Sequence, residues 1–64
     1  EYKKAIELLT FAAEKTNNMG QVYAYLGDVY LAKGDKTKAK ESYLKCLETY
    51  PGYPKAINGL KSTN

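Results

Sequence analysis

Apolar residues recur at helical spacing along this chain, and glycine, proline and short polar runs punctuate them. From Glu1 to Lys15 the stripe is Tyr2, Ala5, Ile6, Leu9, Ala12 and Ala13, uninterrupted by glycine or proline. That spacing predicts an amphipathic helix over residues 1–15. Thr16-Asn17-Asn18-Met19-Gly20 then reads as a polar loop. Tyr23, Leu26, Val29 and Tyr30 fall on one face of a second helix over 20–33. Gly34 ends it, and Asp35 is placed to N-cap a third over 36–50. Ala39, Tyr43, Cys46, Leu47 and Tyr50 form the apolar face of that helix. Pro51 closes it, and Pro54 suits the first turn of a last helix over 54–62 carrying Ala56, Ile57 and Leu60. On the outer face of the first helix, Lys3 and Glu7 are spaced as an i,i+4 pair.

The stripes complement one another. Tyr23, Leu26 and Tyr30 are large around the small Gly27, while Ala39 and Cys46 are small around the large Tyr43. Two helices crossing at Gly27 and Ala39 therefore predict a core of Ala5, Leu9, Ala12, Tyr23, Leu26, Gly27, Tyr30, Ala39, Tyr43, Cys46, Ile57 and Leu60. Shifting the chain by 34 residues places Lys4, Ala5, Glu7 and Glu14 on the identical Lys38, Ala39, Glu41 and Glu48. The first helix is thus the counterpart of the third. Under the same shift Ala56, Ile57 and Leu60 fall on Val22, Tyr23 and Leu26, so the last helix is the counterpart of the second. Lys61 stands at the place of Gly27, and Gly59 interrupts the last helix at about 1 kcal/mol relative to alanine.

Tyr23-x-x-Leu26-Gly27-x-x-Tyr30, followed by Gly34, Ala39, Tyr43 and Pro51, resembles the tetratricopeptide repeat. Tyr23 stands where that family has tryptophan, and Cys46 where it usually has a second alanine. Lys36 and Lys40 depart from it, occupying places that are usually aromatic and aliphatic. Either their stems pack with the ammonium groups reaching out, or that end of the helix is wetter. The resemblance implies an all-α fold, an α-solenoid fragment of four antiparallel helices. Residues 1–19 would be the second helix of a preceding repeat plus its loop. Residues 20–53 would be a complete repeat, and 54–64 a capping helix or the first helix of a following one.

Composition narrows the chemistry. The 64 residues include no histidine and one cysteine, which removes the commonest general base and any internal disulfide. Glu7, Glu14, Glu41 and Glu48 recur on wet helix faces, where solvation accounts for them. Cys46 lies in the packing stripe and reads as a small buried hydrophobe. No phosphate loop or metal-ligand spacing is present, so the chain reads as non-enzymatic and without a cofactor. No apolar run approaches the ~20 residues of a membrane span. The start, Glu1-Tyr2-Lys3-Lys4, has neither a signal peptide nor an initiator methionine and reads as an excised piece; a cytoplasmic origin is favoured. The net charge is +3 and all ten basic residues are lysine. Nucleic-acid readers combine arginine, a dense basic stripe and exposed aromatics, so nucleic acid is not expected as a ligand. Lys33, Lys36, Lys38 and Lys40 cluster across the central turn, a charge distribution that attracts acidic partners.

The resemblance implies a protein–protein interaction module, in which the first helix of each repeat lines a concave groove for a peptide or partner helix. The residues expected on that groove are Gln21, Ala24, Tyr25, Asp28 and Leu31, with Lys55, Asn58 and Ser62 on the last helix. Some members grip the C-terminal carboxylate of heat-shock chaperones with lysines, asparagines and an arginine. In either register those places hold Ala24 and Asp28, or Tyr25, Lys55 and Gly59; only Lys55 fits, and Asp28 would repel a carboxylate. The other reading is a structural spacer or self-association element. Bare stripes at the two ends, Tyr2, Ala5, Ile6 and Leu9 against Ala56, Ile57 and Leu60, predict head-to-tail association of copies.

Overall fold

The computed structural model describes residues 1–15 and 20–63. It contains four helices, α1 (Tyr2–Lys15), α2 (Gly20–Lys33), α3 (Lys36–Thr49) and α4 (Pro54–Ser62), with no strand among the described residues. The expected all-α, four-helix architecture is therefore the one observed. The polar loop expected before Gly20 lies outside the described residues, while Gly20 itself opens α2.

The boundaries follow from local chemistry. Gly34 takes φ 98°, a left-handed conformation that stops α2. Asp35 then caps α3, its carboxylate accepting from the Lys38 amide at 3.1 Å. The Tyr50 amide donates to the Cys46 carbonyl at 2.9 Å and closes α3 before Pro51. Pro54 opens α4, where its missing N–H has no helical partner to lose.

α2 packs most extensively on α3, and α4 leans on α3 and more lightly on α2. α1 touches α2 but not α3, and none of its residues is fully buried. The core is Ala24, Ala39, Tyr43, Cys46 and Ala56, flanked by Tyr23, Tyr30, Leu31, Leu47, Tyr53 and Leu60. Most expected core positions are thus buried or half-buried.

Ile57 is the exception, 38% exposed, because α4 turns Ala56 and Gly59 inward instead. Gly59 has a structural reason to be glycine. A Cβ there would overlap Cζ of Tyr43 and stand 2.5 Å from Cε1 and Cε2. Gly27 meets the same ring: a Cβ there would stand 2.5 Å from Tyr43 Cε1. Lys36 and Lys40 are exposed. α4 has nine residues against fourteen in α3, so at 1.5 Å per residue it leaves the first turns of α3 without a neighbour. The Lys3–Glu7 pair is not formed; the ion pair among the described residues is Lys55–Asp28. On α1, Ala5, Ile6 and Leu9 are half-covered by α2, and the bare apolar residues are Tyr2, Leu8 and Phe11.

Candidate functional site

One surface is built by α2 and α4, and a polar chain runs across it. The buried Tyr43 hydroxyl donates to Asp28 Oδ1 at 2.5 Å. Asp28 Oδ2 pairs with Lys55 Nζ at 2.9 Å. The Lys55 ammonium also lies 5.3 Å from the centroid of the Tyr25 ring, within cation–π range. Three helices, α3, α2 and α4, thus meet at one carboxylate. Burial and the Asp28 carboxylate push the Tyr43 phenol well above its ordinary range. Asp28 likewise holds Lys55 above the usual lysine value.

Of the residues expected on this surface, Gln21, Tyr25, Lys55, Asn58 and Ser62 are exposed, and Asp28 and Leu31 are half-exposed. Ala24 is not on it. It is 0% exposed and packs in the core with Ala39, Tyr43 and Ala56, because α4 closes over that side of α2. Tyr25, Asp28 and Lys55 are brought together by an ion pair and a ring contact, whereas among the described residues no side-chain hydrogen bond or ion pair joins Gln21, Asn58 or Ser62 to them. The role of the Tyr43 hydroxyl was not anticipated. A tyrosine at a core aromatic position is a signal in itself, since its hydroxyl needs a partner when buried.

A second feature lies between α1 and α3. Because those helices do not touch, a cleft of about 330 Å³ opens over α2, floored by Tyr23, Leu26 and Tyr30. Its rim carries Glu14 of α1 and Lys38, Glu41 and Lys45 of α3. Lys38 Nζ lies 5.9 Å from the Tyr30 centroid, and Lys45 Nζ 5.5 Å from that of Tyr23.

Cys46, the one cysteine, is fully buried, and burial raises its thiol above the usual value, which keeps it protonated and inert. Among the described residues no group of three or more Cys, Asp or Glu side chains is placed to hold a metal ion. No described helix is long and apolar enough to cross a membrane.

A family model described as tetratricopeptide repeat matches residues 20–53, from the start of α2 through the turn that follows α3. No curated protein and no solved structure matches the chain.

Proposed function

The chain belongs to the tetratricopeptide repeat family, and from that premise we propose that its α2–α4 surface holds an extended peptide or a partner helix. Members of the family are generally non-catalytic modules that bind other proteins. The observation that carries the reading is the Tyr25–Lys55–Asp28 cluster: an exposed aromatic ring, a cation and a carboxylate fixed on one surface shared by two helices. Pre-organised side chains of this kind bind with little entropy left to lose. Around them Gln21, Asn58 and Ser62 offer amide and hydroxyl groups of the type that pair with peptide backbone.

The charges bear on the ligand. Lys55 is paired with Asp28, so the ammonium at the centre of this surface is already engaged rather than free for a terminal carboxylate or a phosphate backbone. The proposed ligand is therefore a peptide of low charge that lays an apolar or aromatic side chain on Tyr25, rather than a nucleic acid.

The test is a peptide array probed with the chain and with its Tyr25→Ala variant. Tyr25 is half-exposed, so the variant should keep its helical circular dichroism while losing bound peptides by roughly tenfold or more. Array binding that survives Tyr25→Ala and Asp28→Asn alike would sink the proposal.

A second reading, self-association, is favoured by α1, where Leu8 and Phe11 are 65% and 60% exposed. Sedimentation against concentration separates it from the first.

A further inference from the structure

The net charge of the chain is concentrated at one tip. Lys33, Asp35, Lys36, Lys38 and Lys40 together carry +3, which is also the charge of the whole chain. The remainder is balanced. Lys33, Lys36 and Lys40 are exposed, and among the described residues none of them forms an ion pair. Asp35, the only acid at the tip, has its carboxylate engaged in capping α3.

The placement also opposes local electrostatics. Lys36 and Lys38 occupy the first turn of α3, which holds no acidic residue. A helix N-terminus carries the positive end of the macrodipole and disfavours cations. Lys38 gains a partner in the Tyr30 ring, but Lys36 has no such contact among the described residues, and a rule broken without a folding benefit is the mark of a surface shaped by something else. Short α4 leaves this end of α3 uncovered, so the lysines face solvent rather than a neighbouring helix.

The cleft between α1 and α3 leads to this tip. Its floor runs along α2 from Tyr23 to Tyr30, and Lys33, the last residue of α2, lies one turn beyond. Lys38 belongs to both features, lining the cleft with its ammonium over Tyr30. At about 330 Å³ the cleft is at the small end of ligand pockets. It suits one large side chain. Along the cleft Glu14, Glu41 and Lys45 mix carboxylates with a cation, whereas the tip beyond Lys38 holds lysines with one engaged acid, so the acidic part of a ligand belongs at the tip.

We propose that this second surface docks an acidic protein segment: an aromatic or large aliphatic residue seats on Tyr23, Leu26 and Tyr30, and its glutamates or aspartates lie on Lys33, Lys36, Lys38 and Lys40. The surface lies away from Tyr25 and Lys55, so it stands or falls independently of the α2–α4 groove. Charge complementarity selects the partner. The tip lacks the arginines and stacking aromatics of a nucleic-acid reader. It also lacks an exposed large apolar residue that would insert into a bilayer.

The probe is a short synthetic peptide of glutamates ending in phenylalanine, titrated into the full chain and followed by amide chemical shifts. Shifts should localise to residues 33–40 and to Tyr23 and Tyr30, and affinity should fall as salt rises. The Lys36→Glu, Lys40→Glu double variant should weaken binding by roughly tenfold or more. The milder Lys36→Gln, Lys40→Gln pair guards against a folding defect, and Tyr25→Ala should leave binding unchanged. Equal binding of the glutamine analogue, or no binding at millimolar peptide in low salt, would overturn the proposal. So would tighter binding of phosphatidylserine vesicles or of single-stranded oligothymidylate.

Discussion

Gly59 of α4 lies directly against the ring of Tyr43 on α3, with no room between them for a methyl group. Gly27 of α2 lies against the same ring. Tyr43 is 0% exposed, so the ring has no open side into which it could retreat. Two glycines from two helices therefore set how closely α2, α3 and α4 approach.

Gly59→Ala tests this by setting two effects against each other. Helix propensity favours alanine by about 1 kcal/mol. Overpacking a tight contact opposes it by ~1–3 kcal/mol. Packing should win, and the melting temperature should fall. Gly52→Ala is the control, because a Cβ there meets nothing within 4 Å; it should leave the melting temperature level or slightly raised. Gly27→Leu should unfold most of the population. A rise in melting temperature for Gly59→Ala would show that α4 can move away from Tyr43 at little cost.

The helix pattern was legible because Gly34, Asp35, Pro51 and Pro54 punctuate it by mechanisms that act locally. The inward face of α4 was not. One residue along a helix is a rotation of about 100°, so assigning Ile57 rather than Ala56 and Gly59 to the core misses by one step. Ala24 was misplaced for a related reason. α2 packs against α1, α3 and α4, so it buries more than one stripe. At the site, Asp28 and Lys55 were each visible as polar groove candidates. Their pairing depends on the crossing of α2 and α4, which no local spacing encodes.

Asp28 should matter more to stability than its exposed partner. Asp28→Ala removes the acceptor from the buried Tyr43 hydroxyl, a loss of about 1.5–3 kcal/mol for a hydrogen bond to a charged group. Lys55→Ala breaks an exposed, solvent-screened ion pair and should shift stability much less. Urea midpoints of the two variants and of the double mutant would measure this directly. Equal losses would show that the Tyr43 hydroxyl is as well served by water as by Asp28.

Alkaline pH should unfold the chain. Tyr43, Lys55 and Cys46 all have pKa values raised in the folded state. A raised pKa contributes stability that is fully present below the unfolded value and lost as pH rises through the folded one. The unfolded values are about 8.5 for cysteine, 10 for tyrosine and 10.4 for lysine, so the loss should begin near pH 8.5 and steepen above about 10. Tyr43→Phe removes one of these groups and should flatten the steep part. A stability that stays level up to pH 11 would mean that the Tyr43 phenol is not desolvated in the fold.

Self-association should be weak and directional. On α1, Leu8 and Phe11 are three residues apart and share one bare face. Under the 34-residue shift Leu8 falls on Ser42, which is buried. A helix of the α2 type therefore fits the bare face of α1, and α4 of another copy is such a helix. What α4 has left to offer is poor. Ala56, Gly59 and Leu60 are turned inward, and the outward face keeps Ile57 beside Lys61. Lys61 stands where α2 has Gly27, so docking would bring an ammonium group to the closest point of the crossing, an unfavourable place for an unpaired charge. Association should thus appear only toward millimolar concentration in sedimentation, and Lys61→Gly should strengthen it. Leu8→Glu and Ile57→Glu should each give a monomer. An equimolar mixture of those two variants retains one intact face of each kind, so it should form a discrete dimer. A chain that stays monomeric at millimolar concentration even as Lys61→Gly does not associate head to tail, and an Ile57→Glu variant that still associates by itself assigns the association to a contact between two copies of α1.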